Sequence, residues 1–459
     1  MNIYEKIYER KHLNHIIHTT LNPDKVGAVR IHLVPSKFSL FKARPSIVIL
    51  DGKDIIPLKP AWAILLSIFI NKVNEYHGRE ISDDELEEIV RQTIKRLKKI
   101  YFYPKDEQVK SDLWKMINLF TAIANHEETH INVGQKTIGD FAKFMRAPHR
   151  MDLMISSMQK DGKWHCNQKC LHCYAGNQDY AITKELSTKE WRKVIDICRK
   201  NCIPQLTFTG GEPTLRDDLV ELVNYSKWFV TRLNTNGVLL TEKLCKDLYE
   251  ASLDSVQVTL YSHDKEIHNK LVGAKNFDLT VQGIKNALAA GLNVSINTPL
   301  CSINKDYEAT LKFAKELGIT YASSSGLIVT GNAKQDESIS TQLSKEEITE
   351  ILKKACKYAE EVEMELSFTS PGWIDEKELK EMKLDIPACG ACLSNMAVAP
   401  DGNVMPCQSW LGKGASLGNI LKVDWTKIWN NTKCVKIRKQ SSKTNHTCPL
   451  RGGVKNENK

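Results

Sequence analysis

The stretch WHCNQKCLHCYAG, residues 164–176, places the thiols of Cys166, Cys170 and Cys173 within eight residues. A structural zinc site needs four ligands and usually combines two C-x2-C pairs. Three thiolates on one tight loop instead suit a four-iron cluster, because they leave one iron without a protein ligand. The spacing therefore predicts an iron centre with one open position for chemistry. A degenerate zinc site or unrelated buried thiols are the alternatives for this stretch taken alone.

A second group of candidate residues, GGEP, directly follows the apolar run QLTFT. Gly210 and Gly211 lack Cβ atoms, so a ligand can approach the backbone closely at this strand end. The carboxylate of Glu212 can hold an ammonium group by a charge-assisted hydrogen bond. Because Gly-Gly-acid-Pro is also common in turns, this motif is informative only together with the cysteines.

Short apolar strands alternate with amphipathic helices from residue 151 to about residue 330. The predicted strands cover residues 205–209, 229–235, 255–261, 293–300 and 319–325. This alternation predicts βα units with a parallel sheet, forming an open or closed barrel. Sites in such sheets gather at the carboxyl ends of the strands, where the cysteine loop and GGEP both fall.

The cysteine spacing followed by GGEP resembles the radical S-adenosylmethionine (SAM) superfamily, whose members usually carry an aromatic residue beside the last cysteine, here Tyr174. The resemblance implies an α/β fold with a partial (βα)6 barrel. It also implies a [4Fe-4S] cluster on Cys166, Cys170 and Cys173, whose open iron binds the amino and carboxylate groups of SAM. An electron from a ferredoxin or flavodoxin would then release a 5′-deoxyadenosyl radical, which abstracts hydrogen from the substrate.

The same resemblance predicts further contacts with SAM. Gly210, Gly211 and Glu212 would line the methionine moiety, with Glu212 accepting from its ammonium group. The ends of later strands would supply ribose and adenine contacts, and the candidates there are Asn234, Asn236, Ser262 and Asn297. Each of these four can equally form an Asx turn or a helix cap. His165 and His172 are expected to shape the loop or to donate to cluster sulfurs.

A second cysteine group begins near residue 389. Cys392, Gly402 and Cys407 have a spacing similar to the SPASM or twitch auxiliary-cluster domain, and PDGNV predicts a hairpin that brings the two cysteines together. The expected ligands of one auxiliary iron-sulfur cluster are Cys389, Cys392, Cys407 and Cys448. The chain lacks the C-x2-C-x5-C-x3-C run of a second auxiliary cluster. A zinc ribbon that includes Cys434 or Cys448 is the alternative.

The region from about residue 26 to residue 103 predicts strands followed by helices, with Asp51-Gly52 as a hairpin signal. This order indicates a winged-helix-like domain and resembles the PqqD-like recognition element of enzymes that modify ribosomally made peptides. Such a domain binds a leader peptide as an added strand at a sheet edge. DNA binding is the weaker interpretation, because the region contains SDDELEE and no marked basic face.

The expected domains are a peptide-recognition domain over residues 1–125, a linker over 126–154, the barrel over 155–375 and the small iron-sulfur domain over 376–459. The chain has 459 residues and a net charge of +9, and residues 411–459 hold eleven lysines and arginines against two acids. This basic segment is either a solvated, partly disordered terminus or a site for an anionic partner. Without a signal peptide or membrane span, the protein is expected to be cytoplasmic.

These patterns together predict a radical enzyme that makes a thioether or carbon-carbon crosslink on a short precursor peptide with a leader sequence. The first alternative is a radical SAM enzyme acting on a small cofactor precursor such as a tetrapyrrole. The second alternative is a non-catalytic iron-sulfur sensor that binds nucleic acid.

Overall fold

The computed structural model describes residues 2–21, 29–36, 38, 45–50, 54–76, 81–102, 104–124, 127, 146–443 and 447–451. The chain divides into two compact units. Unit 1 comprises residues 1–149, 195–205 and 228–230. Unit 2 comprises residues 150–194, 206–227 and 231–459.

Unit 1 contains an antiparallel sheet whose spatial order is β1-β2-β3-β4. Its elements are α1 (Ile3–His12), β1 (Ile17–Leu21), β2 (Val29–Val34), β3 (Ser46–Leu50), β4 (Asp54–Leu58), α2 (Pro60–Val73), α3 (Asp83–Leu97) and α4 (Asp106–Ala124). The predicted order of strands followed by helices is confirmed. The pairing of Leu50 with Asp54 joins β3 and β4 as an antiparallel pair, although the predicted turn at Asp51-Gly52 lies outside the described residues.

Local signals in the sequence explain where the helices of unit 1 begin. Pro60 stands in the first turn of α2, where its missing N–H would have no partner within the helix. Ser82 and Glu85 form a capping box at α3, with Glu85 N donating to Ser82 Oγ at 3.3 Å and Ser82 N donating to Glu85 Oε2 at 3.1 Å. The sequence patterns did not predict β1, because IHTTL is short and half polar.

Unit 2 is built around a nine-stranded, mostly parallel sheet with the order β13-β12-β11-β10-β9-β8-β5-β14-β15. Its strands are β5 (Arg150–Ser156), β8 (Gln205–Gly210), β9 (Val230–Thr235), β10 (Ser255–Thr259), β11 (Asn293–Pro299), β12 (Tyr321–Ser325), β13 (Glu365–Phe368), β14 (Asn395–Val398) and β15 (Val404–Met405). A separate hairpin consists of β6 (Gln159–Lys160) and β7 (Lys163–Trp164). The five predicted strands are confirmed within two residues at each end. Strand β5, which was not among them, starts inside the segment predicted as a linker.

Helices connect most of these strands. They are α5 (Thr188–Lys200), α6 (Leu219–Tyr225), α7 (Glu242–Glu250), α8 (Lys265–Val272), α9 (Phe277–Ala289), α10 (Tyr307–Glu316), α11 (Asp336–Ile339), α12 (Lys345–Glu361), α13 (Glu376–Glu381), α14 (Trp425–Asn430) and α15 (Thr432–Lys443). Within the described residues, none of the helices is long and apolar enough to cross a membrane. The alternating order confirms the predicted α/β fold class.

Substitutions in unit 1 test which of its residues form the core. Leu66 on α2 is fully buried among apolar residues, so Leu66→Ala should lower the free energy of unfolding by about 2–5 kcal/mol. Ile3 on α1 is 71% exposed, and Ile3→Ala should cost less than about 0.5 kcal/mol. Urea unfolding of the full chain, followed by circular dichroism, measures both changes, and equal losses would contradict the assigned core.

Candidate active site

The cysteine loop follows the β6–β7 hairpin and is closed by local hydrogen bonds. Trp164 Nε1 donates to Gln168 O at 2.8 Å, and Cys173 N donates to Cys170 O at 3.2 Å. The thiols of Cys166, Cys170 and Cys173 are half-buried, and none forms a disulfide. The loop therefore presents three free thiols from one short, internally fixed segment.

The environment of these thiols is nonpolar and shared. Burial raises the pKa of Cys166 to about 12 and also raises the pKa values of Cys170 and Cys173. The charges of Glu212 and then Cys173 raise the pKa of Cys166 further, and the charges of Cys173 and Cys166 act in the same direction on the thiol of Cys170. In the metal-free chain the three thiols stay protonated at neutral pH, and metal binding must release those protons.

The donor set fits an iron-sulfur cluster, because thiolates are the ligands that such clusters use. Among the described residues, no three His, Cys, Asp or Glu side chains converge as they would on a single metal ion. Thiolates of a four-iron cluster bind different iron atoms, so they need not converge on one point. The spread of the three cysteines is therefore compatible with a cluster.

The glycines of GGEP close a turn against the end of β5. Gly210 has φ +133°, and a Cβ atom there would lie 2.2 Å from Ser156 O. A Cβ atom on Gly211 would lie 2.8 Å from Ser157 O. The sequence suggested that these glycines leave room for a ligand, whereas the observed close approach is to the neighbouring strand. Cys166 Sγ lies 3.5 Å from Gly211 O, so this turn supports the cysteine loop.

Glu212 is 1% exposed and links the carboxyl ends of β8 and β9. Its Oε1 accepts from Thr235 Oγ1 at 2.7 Å and from Thr214 Oγ1 and N at 2.5 and 3.0 Å. Its Oε2 accepts from Asn236 N at 2.9 Å. Burial raises the pKa of Glu212, and these hydrogen bonds oppose that shift. The carboxylate is thus fixed in orientation, with acceptor capacity left on Oε2.

The other candidate SAM contacts lie at the ends of β9, β10 and β11 and also make local hydrogen bonds. Asn236 Oδ1 accepts from Val238 N at 3.1 Å, as in an Asx turn. Ser262 is 2% exposed, and its Oγ accepts from Asp264 N at 3.0 Å. Asn297 Oδ1 accepts from Ser323 Oγ at 3.0 Å. The structure thus brings these residues to the predicted edge of the sheet.

A segment distant in sequence holds the far side of the cysteine loop, and no pattern in the sequence predicts it. Asn332 donates from its backbone N to Cys173 O at 2.9 Å and from Nδ2 to Cys170 O at 3.2 Å. Thr330 Oγ1 donates to Tyr174 O at 3.3 Å. A Cβ atom on Gly331 would lie 2.4 Å from Tyr174 O. The turn-forming Gly-Asn pair was the available signal, but its distance from the loop in sequence concealed the contact.

The side chain of His172, which was expected to shape the loop or to donate to cluster sulfurs, is buried and hydrogen-bonded. It is 6% exposed, and its Nε2 lies 2.7 Å from Thr341 Oγ1. Burial lowers the pKa of His172 to about 4, so the imidazole is neutral at physiological pH. The imidazole is therefore an uncharged group held by Thr341 within the loop.

Tyr174 connects the cysteine loop with the second cysteine group. It belongs to an apolar cluster that includes Met154, Met405 and Trp410. Burial raises the pKa of its phenol, and the nearby charges of Cys173 and Asp152 raise it further, followed by that of Cys407. The last cysteine of the loop and the auxiliary cysteines are thus joined through one packed region of unit 2.

The predicted hairpin of the second cysteine group is confirmed. Strands β14 and β15 pair antiparallel through Val398 and Val404, and Gly402 between them has φ +87°. Cys392 N donates to Pro406 O at 3.1 Å, which brings Cys392 beside Cys407. The pairing therefore places these two cysteines together, as the sequence predicted.

The remaining auxiliary cysteines gather around Cys407. Burial raises the pKa of Cys407 to about 12, and the charges of Cys448 and Cys389 add to this shift. A hydrogen bond with Cys434 and burial raise the pKa of Cys392, and the charge of Cys407 adds to this shift. All four cysteines expected as auxiliary ligands therefore lie in one neighbourhood.

A fifth thiol, that of Cys434 on α15, joins this group through Cys392. A hydrogen bond from Cys392, together with the Arg438 guanidinium, lowers the pKa of Cys434. Arg438 Nη2 lies 3.3 Å from Cys434 Sγ, and its Nε donates to Cys392 O at 2.8 Å. The sequence predicts Cys434 only as an alternative ligand, because its position on a helix gives no spacing signal.

Comparison with known families agrees with both cysteine groups. Residues 165–314 match the radical SAM superfamily, and residues 389–450 match the SPASM iron-sulfur cluster-binding domain. The chain carries a radical SAM domain and a SPASM domain. It is therefore an enzyme whose cofactors are a [4Fe-4S] cluster, SAM and the auxiliary iron-sulfur centre of the SPASM domain.

Relatives and solved structures place the radical SAM–SPASM chain among known enzymes. Fe-coproporphyrin III synthase of Methanosarcina barkeri is 28% identical over 320 residues, which are 64% of this chain and 80% of that protein. Streptococcus suis SuiB bound to precursor peptide SuiA has a TM-score of 0.56 and 16% identity, covering 86% of this chain and 87% of that one. The anSMEcpe structure with bound AdoMet and Kp18Cys peptide has a TM-score of 0.51 and 19% identity, covering 64% of this chain and 83% of that one. At these identities the two structures show a shared fold.

Replacing Gly210 by alanine tests the closed turn of the radical SAM domain. The added Cβ atom would clash with Ser156 O, and strain of about 1–3 kcal/mol at this φ should weaken SAM binding about ten- to hundredfold. Gly162 has φ +72° with nothing near its Cβ position, so Gly162→Ala serves as a strained control without a clash. Isothermal titration of SAM into the iron-loaded protein compares them, and equal affinities would contradict the role of the turn.

The pH dependence of stability tests the burial of His172. Its pKa of about 4 lies below the value of about 6.5 expected in the unfolded chain, so the unfolded state binds the extra proton between them. The free energy of unfolding therefore falls as pH drops through this window. His172→Asn should reduce that slope by up to about 1.4 kcal/mol per pH unit. Urea unfolding of the metal-free chain at several pH values measures it, and an unchanged slope would refute the assignment.

Proposed function

We propose that this radical SAM–SPASM enzyme modifies a ribosomally made precursor peptide by forming a thioether or carbon-carbon crosslink. The observation that carries the proposal is unit 1, an antiparallel sheet followed by three helices and attached to a radical SAM domain. An extended leader peptide can add to an open sheet edge through main-chain hydrogen bonds. SuiB, whose likeness extends over 86% of this chain, is known bound to its precursor peptide.

For the radical site, we assign the cluster ligands to Cys166, Cys170 and Cys173. When bound, the cluster and SAM supply a radical that abstracts a hydrogen atom from the substrate. The fixed carboxylate of Glu212 accepts from the SAM ammonium group through Oε2, while the Gly210-Gly211 turn holds the methionine moiety. Tyr174 lies beside the loop, and Asn236, Ser262 and Asn297 provide the ribose and adenine contacts from the strand ends.

For the SPASM domain, we assign one auxiliary cluster to Cys389, Cys392, Cys407 and Cys448. The support is the hydrogen bond from Cys392 N to Pro406 O, which brings Cys392 beside Cys407, together with the charges of Cys448 and Cys389, which raise the pKa of Cys407. Four thiolates would complete the coordination of this cluster and leave no position for SAM. We propose the domain limits expected from the sequence, with recognition over residues 1–125, a linker over 126–154, the barrel over 155–375 and the auxiliary domain over 376–459, although β5 of the barrel sheet already begins at Arg150.

A tetrapyrrole or another small cofactor precursor is the second candidate substrate. The observation that favours it is the 28% identity with Fe-coproporphyrin III synthase over 320 residues. In this alternative, unit 1 has a structural role.

Co-expression with short peptides encoded beside the gene tests the proposal. The proposed crosslink removes two hydrogens, so the modified peptide should be about 2 Da lighter by mass spectrometry. The matched control replaces Cys166, Cys170 and Cys173 together by alanine, and its peptide should keep the unmodified mass. A wild-type enzyme that releases 5′-deoxyadenosine while every such peptide stays unmodified would shift the assignment to the small-molecule candidate.

The leader dependence provides a second test of the same proposal. A precursor without its leader should stay unmodified, because leader binding brings the core peptide to the radical site. Adding the separate leader peptide should restore part of the crosslinking if unit 1 binds it. Equal modification with and without leader, measured by mass spectrometry, would contradict recognition through unit 1.

A further inference from the structure

Helix α15, the last described helix, carries the thiol of Cys434 on one side and lysines on the other. On α15, Cys434, Arg438 and Ser441 are spaced by four and three residues, so they share one face. That face contacts the auxiliary segment, since Arg438 Nε donates to Cys392 O at 2.8 Å and Ser441 Oγ donates to Ala391 O at 2.8 Å. Ser441 Oγ also lies 3.7 Å from Cys389 Sγ. The inner face of α15 therefore covers the auxiliary cysteines.

The outer face of α15 and the neighbouring α14 segment are strongly basic. Lys436 and Lys439 are exposed and stand nearly opposite Cys434 around the helix. Lys422 and Lys427 are exposed on the segment just before α15, and the four are named here the lysine face. Among the described residues no ion pair includes any of them.

The single acid among the described residues of this segment does not pair with the lysine face. Asp424 is the one acidic residue among the described residues of 411–451, and its Oδ1 accepts from Thr426 N at 2.8 Å as the cap of α14. The buried apolar side of α14 consists of Trp425, Ile428 and Trp429, so the helix itself is firmly anchored. A rigid, uncompensated positive surface attracts an acidic partner and raises the rate of encounter.

We propose that the lysine face is the docking surface for a small acidic one-electron donor protein. A helix is about 10–12 Å across with its side chains, so a donor seated on α15 lies within about 10 Å of the thiols beneath it. Each encounter would pass one electron from the donor, which is oxidised, to the iron-sulfur cluster that the auxiliary cysteines would hold, which would be reduced. Proximity to the auxiliary cysteines favours an electron donor as the partner. An acidic peptide has no need to dock over these cysteines.

The proposal does not rest on the peptide substrate, because SAM cleavage without substrate already consumes the donor's electrons. Weak redox encounters bury little area and depend on charge, so binding should weaken as salt rises. The probe is an acidic flavodoxin reduced to its hydroquinone. Dithionite, a small reductant, provides the comparison that needs no docking surface.

The variant carries Lys422→Glu, Lys427→Glu, Lys436→Glu and Lys439→Glu. It should raise the flavodoxin concentration for half-maximal 5′-deoxyadenosine release at least about tenfold and weaken flavodoxin binding by a similar factor in calorimetry. Dithionite-driven release should stay as in the wild type. The charge-matched control carries Lys189→Glu, Lys193→Glu, Lys354→Glu and Lys357→Glu at other exposed positions and should change the flavodoxin requirement less than about twofold.

Two results would overturn the proposal. One is an equal change in the two variants, which would indicate attraction by net charge alone. The other is unchanged flavodoxin binding with weakened binding of the precursor peptide, which would identify the lysine face as a peptide site. If the glutamate variant folds or binds iron poorly, the same four positions changed to glutamine give the same comparison at smaller charge difference.

Discussion

The contact between the Gly210-Gly211 turn and the end of β5 is the constraint on which the active site depends. Because no side chain fits between these glycines and Ser156 or Ser157, the β8 end closes directly on its neighbour. Gly211 O then lies against Cys166 Sγ, and Glu212 is directed into the ends of β8 and β9. One backbone contact thereby sets the position of a cluster cysteine and of the carboxylate beside it.

A network of ion pairs and hydrogen bonds around Arg216 stabilises this contact. Arg216 Nη1 donates to Ile155 O at 3.1 Å and to Glu185 Oε2 at 3.2 Å, while Nη2 pairs with Asp218 Oδ2 at 2.7 Å. Glu185 Oε1 in turn accepts from Ser157 N at 2.8 Å. The segment after the cysteine loop, the end of β5 and the segment after GGEP are thus tied together. Such charge-assisted bonds at partly buried groups hold the turn in one geometry.

Features that depend on a local sequence pattern could be predicted, whereas contacts between segments far apart in the sequence could not. The three thiols, GGEP and the PDGNV hairpin could be predicted, because a cluster site and a tight turn each require certain residue types at short, fixed spacing. The support of the cysteine loop by Thr330, Gly331 and Asn332 joins segments about 160 residues apart and has no periodic signal. Cys434 was likewise hidden, since its partner Cys392 is reached only through the packing of α15 on the auxiliary segment.

Electron paramagnetic resonance of the anaerobically reduced, iron-loaded enzyme tests the central claim that three thiols hold a cluster whose open iron binds SAM. In the wild type, addition of SAM should alter the signal of one cluster and leave the auxiliary signal unchanged. The variant with Cys166, Cys170 and Cys173 replaced by alanine should lose the SAM-sensitive signal and keep the auxiliary one. A SAM-sensitive cluster signal that persists in this variant would contradict the account.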